Sequence, residues 1–282
     1  MALSDILLHI DSYPEAAPPA AIEQAVGFAA AVGGKISALA VCVAIPLHSN
    51  RVADYLIHLS DMVHDEEAKS LQACQASLDQ FKSQAQAAGV LGQALLEKAD
   101  LYLLSDHVAQ RARTRDLCIV PLAGPYDGQV EVVEAALFNS GRPVLVFRAG
   151  EASLSPLPPA TVVVAWDGSR CAARAMADAL PILKLARQVR ILTVLDEKPS
   201  AAAGVGADAL RHLAAHGIAA QLDEVAAAGR RIGEVLDAYL AQLQPDLVVM
   251  GGYGHTRLRE IVLGGATEHA LYNLKTPLFF SH

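Results

Sequence analysis

The residues best suited to bind a ligand are glycines near the end of the sequence. An apolar run, Leu247 to Met250, predicts a short strand that ends in the spacing Gly251-x2-Gly254-x9-Gly264, and a new helix is predicted just beyond it. Backbone amides approach a ligand closely where side chains are absent, and the positive end of a helix dipole attracts anions. The glycine segment therefore predicts a phosphate site.

Three further residues are predicted at the ends of neighbouring strands. Asp167 follows the apolar run TVVVA, Val194 lies near the end of QVRILTVL, and Met250 closes LVVM. In an open parallel sheet, ligands bind beyond the carboxyl ends of the strands, where the strand order reverses. A carboxylate there can accept hydrogen bonds from ribose or adenine, and two apolar side chains can hold a base. Trp166 could flank that base or pack in the core.

The composition predicts helices covering a buried sheet. Hydrophobic residues make up 53% of the 282 residues, but aromatic residues only 5%, which suits a Val- and Leu-rich parallel sheet better than an antiparallel sandwich. The net charge of −8 argues against general nucleic-acid or anionic-membrane partners, which need a basic face. The four cysteines show no C-x-x-C spacing, so we expect buried thiols. No apolar run approaches about 18 residues, and we expect a cytoplasmic protein.

The two halves of the sequence repeat one pattern. RDLCIVPL in the first half resembles PDLVVMGG in the second. The segment VVEAALFNSGRPVLVF aligns with ATEHALYNLKTPLFFS, which pairs Glu134 with Glu268 and Pro143 with Pro277 in the alignment. The repeat predicts two tandem doubly wound α/β domains, each with about five parallel strands flanked by helices. We expect the domains at residues 1–150 and 161–282, with the Ser- and Pro-rich segment 151–160 as the linker.

The first half carries an insertion. Residues 48–89 are mostly of helical composition, and their length predicts two helices or one helix with a break before Asp61. Leu71, Leu78 and Phe81 are spaced for one apolar face. A further short helix is expected at residues 99–113. The last strands of the two halves, 144–147 and 278–280, are short and apolar, and strands of that kind seek a partner at a sheet edge.

The glycine spacing and Asp167 together resemble the signature of the universal stress protein family in its ATP-binding branch. The resemblance covers the whole chain as a tandem pair of domains and implies the adenine nucleotide alpha hydrolase-like fold. It implies ATP as ligand, with ADP or AMP as competitors and Mg²⁺ as a candidate companion ion. It also implies that the last strands pair the two halves within the chain. The nucleotide contacts that it assigns are Asp167, Val194, Met250, Gly251, Gly254, Gly264, Gly265, Ala266 and Thr267.

Two departures from the family pattern affect these expectations. The hydroxyl residue expected after Gly264 is replaced by Gly265, which predicts weaker contacts to the outermost phosphate, with Thr267 as a substitute donor. The first half keeps Asp11 but offers only Gly124-x3-Gly128 before its last helix. We expect no ordinary nucleotide site there; this half would either stabilise the pair or hold something else between its long helical insertion and the sheet.

Each chemical interpretation competes with a structural one. Asp11 and Asp167 could be helix N-caps, and Arg257 and Arg259 could screen phosphates or lie in solvent. Two histidine sets have spacing that could bind zinc or form solvated helix faces; they are His212 with His216, and His58 with Asp61, His64 and Asp65. His255 lacks a sequence partner. No catalytic triad or carboxylate pair is evident, so no catalytic residue is assigned.

Three functions follow as hypotheses. The first is a stress-response protein that binds an adenine nucleotide in its C-terminal domain and acts as a regulatory module, with a homodimer or an unknown protein as further partner. The second is a slow ATP hydrolase at the same site, although the sequence offers no Walker-type lysine. The third is a scaffold that holds a protein or hydrophobic ligand through its N-terminal domain without nucleotide.

Overall fold

A computed structural model describes residues 2–46, 58–123, 128–150, 152–155, 158–196, 204–252, 265–273 and 275–282. Within these residues the chain alternates between strands and helices. The strands are β1 (Asp5–Ile10), β2 (Lys35–Ala44), β3 (Leu91–Asp100), β4 (Leu117–Pro121), β5 (Val144–Phe147), β6 (Thr161–Ala165), β7 (Gln188–Leu195), β8 (Ala220–Ala226), β9 (Leu247–Gly251) and β10 (Leu278–Ser281). The helices are α1 (Pro19–Val32), α2 (Leu59–Ala87), α3 (Leu104–Ala112), α4 (Gly128–Asn139), α5 (Arg170–Leu183), α6 (Val205–Ala215), α7 (Ile232–Leu243) and α8 (Gly265–Tyr272), and a 3-10 turn spans Leu101–Leu103.

The strands form one ten-stranded sheet in the order β3-β2-β1-β4-β5-β10-β9-β6-β7-β8. Neighbouring strands are parallel except β5 and β10, which pair antiparallel with Phe279 opposite Leu145. Each half contributes five strands in the same relative order. The predicted α/β class with parallel strands flanked by helices is confirmed, and the two last strands pair within the chain as expected.

The first strand of each half is held in the same way by an aspartate before the fourth strand. The Asp116 carboxylate accepts hydrogen bonds from the backbone N–H groups of Ser4 and Asp5, and the Asp246 carboxylate accepts one from Thr161. A charged acceptor strengthens such bonds. The aspartates of the RD and PD dipeptides in the sequence repeat therefore have the same structural role. They fix the register between β1 and β4 and between β6 and β9.

Helices cover both faces of the sheet. One face packs against α1, α2, α5 and α6, and the other against α3, α4, α7 and α8. The central strands are buried on both sides and consequently read as continuous apolar runs, whereas the edge strands β3 and β8 are partly exposed and carry polar residues. Of the described helices, none is long and apolar enough to span a membrane.

Two sequence expectations need correction. One helix, α2, of 29 residues fills the described part of the insertion, and the predicted first helix or break falls before it. Leu78 and Phe81 lie on its buried stripe with Cys74 and Ala85, as predicted, but Leu71 does not, because it is 40% exposed. Residues 47–57 lie outside the described part. The expected helix at 99–113 begins later, because β3 pairs with β2 as far as Asp100. All four cysteines are free and buried, as predicted.

Candidate functional site

The candidate site lies where the strand order of the second half reverses. The chain runs from β6 outwards to β7 and β8, and then returns to β9 on the other side of β6. Such a reversal leaves a crevice between the first and fourth strands at their carboxyl ends. Ala165 is level with both Leu192 and Met250, so two residues further along Asp167 is level with Val194. The register thus brings together the predicted strand-end residues.

Val194 and Met250 lie on the same face of the sheet. Both pack in the cluster that includes Ala270 and Leu271 of α8, and Ala266 in the first turn of α8 packs against it. Val194 is 9% exposed and Met250 is 5% exposed. Both therefore lie on the sheet face that α8 covers, and they supply apolar side chains of the kind that a base-binding surface requires.

Asp167 is held in a turn but is not a helix cap. Its Oδ1 accepts a hydrogen bond from the backbone N–H of Ser169 at 2.9 Å. The cap of α5 is Ser169, whose Oγ accepts from the N–H of Ala172. The N-cap alternative for Asp167 is therefore wrong, and this partly buried carboxylate is fixed at the rim of the crevice.

Gly251 allows close packing between β9 and α5. A Cβ atom added there would lie 2.5 Å from the backbone nitrogen of Ala172 and 2.5 Å from the carbonyl carbon of Cys171. Real carbon atoms do not approach so closely, so a side chain would push α5 away from the strand. This glycine is needed for helix–strand packing whether or not a ligand is present.

Gly265 has the opposite environment. It opens α8, is exposed, and a Cβ atom added there would meet no described atom within 4 Å. Its N–H is one of the first-turn donors that have no partner inside a helix. Thr267 is 4% exposed, which places its side chain under the helix. Gly254 and Gly264, with His255, Arg257 and Arg259, lie outside the described residues.

In the first half the corresponding aspartate has a different set of partners. Oδ1 of Asp11 accepts from the N–H groups of Ser12 and Tyr13, and Oδ2 accepts from Nε2 of Gln129 at 2.6 Å. Oε1 of Gln129 accepts from the N–H of Ala123, just after β4, at 2.7 Å. The N-cap alternative for Asp11 is also wrong, because α1 begins after Pro18 without a side-chain cap. Residues 124–127, in the predicted Gly124 turn, lie outside the described part.

Other candidates have structural surroundings. The indole N–H of Trp166 donates to the carbonyl oxygen of Val205, and the ring packs on the face opposite Val194 and Met250. His212 and His216 make an edge-to-face contact with ring centroids 4.7 Å apart. Nδ1 of His64 lies 2.7 Å from the carbonyl oxygen of Ser60. The described part of the chain contains no group of three or more His, Cys, Asp or Glu residues placed to hold a metal ion.

Sequence reasoning missed contacts from the first half to the start of the glycine segment. A Cβ atom added at Gly252 would lie 2.6 Å from Cδ2 of Leu137 in α4. Nδ1 of His282 is 2.8 Å from the carbonyl oxygen of Gly252, and its ring makes an edge contact with Phe138, also in α4. The only advance signal was the repeat itself, since α4 and α8 follow equivalent strands. The two halves therefore meet beside the candidate site.

Comparison with known proteins gives one family match. Residues 160–281 match the model of the universal stress protein family. This universal stress protein match covers β6 to β10 with their helices, including Asp167, Val194 and Met250. A comparison with curated proteins found no significant match.

Solved structures share the fold over nearly the whole chain. A universal stress protein from Archaeoglobus fulgidus superposes with a TM-score of 0.70 at 16% identity, covering 98% of this chain and 95% of that one. A putative universal stress protein from Pseudomonas aeruginosa gives a TM-score of 0.58 at 14% identity, covering 99% and 93%. At these identities the comparison shows a common architecture.

Proposed function

We propose that this chain is a tandem universal stress protein whose second domain, residues 161–282, binds an adenine nucleotide. The first domain would comprise residues 1–150, joined to it by residues 151–160. The supporting observation is the convergence of Asp167, Val194 and Met250 with the start of α8 at one crevice, within the region that matches the family model.

The residues fit the parts of a nucleotide. The Asp167 carboxylate would accept hydrogen bonds from ribose or adenine, Val194 and Met250 would line the base, and the backbone of Gly251 would lie beside it. The amides of Gly265 and Ala266 at the N-terminus of α8 would receive phosphate oxygens. Gly254, Gly264 and the backbone N–H of Thr267, whose side chain is buried, complete the set proposed for the phosphates.

The proposed ligand is ATP, with ADP and AMP as close competitors. Gly265 offers an amide but no hydroxyl, so the outermost phosphate loses one hydrogen bond to a charged group. Such a bond contributes about 1.5 to 3 kcal/mol. A Mg²⁺ ion bound by the phosphates is part of the proposal, as are a cytoplasmic location and a homodimer.

We propose regulatory binding as the activity and assign no catalytic residue. The contacts of Leu137 and Phe138 with Gly252 and His282 support this role, because they place the first half beside the entrance to the glycine segment. A nucleotide bound at that segment would therefore lie close to α4 and could act on it. A ligand can shift a conformational equilibrium only by binding one state more tightly.

Acid extraction of the purified protein tests this function. The wild-type extract is expected to contain adenine nucleotide, and ATP at about 100 times its Kd should raise the free energy of unfolding by about 2.7 kcal/mol. A Gly254→Val, Gly264→Val double variant should lose both effects, whereas Gly27→Val, at an open position on α1, should keep them. An empty extract from wild type together with no ATP-induced stabilisation would refute the proposal.

A further inference from the structure

The first half contains a cleft of about 610 Å³ at the carboxyl ends of β1 and β4. Its position corresponds to that of the candidate site in the second half, because the strand order β3-β2-β1-β4-β5 also reverses between the first and fourth strands. Clefts of roughly 300 to 1,000 Å³ hold drug-sized molecules. The place and size of this cleft are those of a small-molecule site.

The charged side chains of the cleft are negative, which is the opposite of what a phosphate site requires. Its lining includes the carboxylates of Asp11, Glu15 and Glu131 and contains no lysine, arginine or histidine among the described residues. The repeat pairs Glu134 with Glu268 and Pro143 with Pro277, an offset of 134 in both cases, and the same offset pairs Glu131 with Gly265. A carboxylate thus stands in the first half at the position that faces phosphate in the proposed nucleotide site.

Two hydrogen-bond donors beside the cleft, the N–H of Ala123 and the side-chain amide of Gln129, are also already used. The Gln129 side chain accepts a hydrogen bond from the N–H of Ala123 and donates one to Asp11. It therefore connects the residues that follow β4 and β1. Asp11 is only 7% exposed and accepts from two backbone N–H groups as well. Within the described chain, none of the three carboxylates forms an ion pair with lysine or arginine. Three carboxylates without a lysine or arginine partner give the cleft a negative potential, which favours a positively charged ligand.

The remaining walls of the cleft are apolar and aromatic. Leu101, Leu104 and Val132 line it together with Tyr13 and Tyr102. Tyr102 is 78% exposed, so its ring is accessible to a ligand in the cleft. Tyrosine rings bind flat hydrocarbon groups and also attract cations to their faces.

We propose that this cleft binds a small organic cation, an amine carried on an aromatic or aliphatic body. The ammonium group would lie among Asp11, Glu15 and Glu131, and the body would pack between Tyr102 and the leucines. Opposite net charge steers such a ligand to the site and discriminates against anions. This site is independent of the proposed nucleotide site, and its test does not depend on ATP.

Calorimetry with three indole compounds tests the proposal on the full chain at low ionic strength. Tryptamine carries the positive charge, tryptophol is its neutral alcohol counterpart, and indole-3-acetate is the anion. Tryptamine is expected to bind about tenfold or more tightly than tryptophol, since a partly desolvated charge pair is involved, and indole-3-acetate should not bind.

Variants locate the binding. Glu131→Gln and Tyr102→Ala should each weaken the binding of tryptamine several-fold. Glu23→Gln, which removes the same charge from the surface of α1, should leave tryptamine binding unchanged. Both cleft residues are exposed, so the variants are expected to fold. Equal binding of all three compounds, no tryptamine binding up to millimolar concentration, or unaltered binding in both cleft variants would overturn the proposal.

Discussion

At the scale of single residues, the two candidate sites differ through a few substitutions at equivalent positions. Asp11 and Asp167 both follow a first strand, but Asp11 is bonded to Gln129 whereas Asp167 accepts a local N–H from Ser169. Gly265 lies open at the start of α8, and Glu131 occupies the equivalent position in the repeat. One scaffold therefore presents an amide donor in one half and a carboxylate in the other.

Restoring the missing hydroxyl at Gly265 should strengthen phosphate binding. A Cβ atom added at Gly265 meets no described atom within 4 Å, so there is room for the hydroxyl of Gly265→Ser beside the proposed phosphate. The added hydrogen bond to a charged group should increase the affinity for ATP by about ten- to a hundredfold. The affinity for AMP should increase much less.

Titration calorimetry of ATP and AMP measures this difference, and Gly27→Ser on α1, also at an open position, serves as the control. An unchanged ATP affinity in Gly265→Ser would show that the start of α8 does not contact the outermost phosphate.

At the scale of elements, the sequence predicted the strands well because buried parallel strands are continuous apolar runs. The sequence repeat alone did not predict the register between the strands. The structure shows that the register is fixed where Asp116 and Asp246 accept hydrogen bonds from the starts of the first strands. The start of α3 was misjudged because residues 99–100 read as helical, while pairing with β2 extends β3 through them. Tertiary pairing overrides local preference in such cases.

Glu134 in α4, which is close enough to Glu268 of α8 to be affected by its charge, gives the protein a pH-dependent element. Burial raises the pKa of the Glu134 carboxyl above its ordinary value of 4.5, and the nearby charges of Glu131 and Glu268 raise it further. A folded pKa above the unfolded one means that the contribution of Glu134 to stability is fully present below about pH 4.5 and is lost as the pH rises through the folded pKa.

Glu134→Gln should therefore be more stable than wild type at pH 7, and the difference should shrink towards pH 4. Urea denaturation at both pH values measures it, with Glu23→Gln on α1 as the comparison. A difference of equal size at both pH values would mean that the repulsion between these carboxylates is not its cause.

At the scale of the whole molecule, the antiparallel pair β5–β10 turns two five-stranded halves into one sheet. Phe279 and Leu145, which face each other in this pair, are completely buried. The sequence indicated that these strands needed a partner. It did not reveal that α4 would also pack beside Gly252, because contacts between distant segments leave no local pattern.

Continuity of the sheet predicts that the halves unfold together. Leu145→Ala in the first half should cost about 2 to 5 kcal/mol and should lower the urea midpoint of Trp166 fluorescence, which reports on the second half, together with that of far-UV circular dichroism. Ala149→Gly, at a partly buried position outside the strand pair, should shift both urea midpoints far less. A Trp166 transition that stays in place in Leu145→Ala would show that the halves unfold independently.

The central claim is that the second half, and not the first, holds the adenine nucleotide. Titration of ATP into Asp167→Asn and Asp11→Asn tests it directly, because the two substitutions are identical and lie after equivalent strands. Asp167→Asn should weaken ATP about ten- to a hundredfold through loss of a charged hydrogen-bond acceptor, while Asp11→Asn should bind ATP as wild type does. Loss of ATP binding in Asp11→Asn with full affinity in Asp167→Asn would contradict the claim.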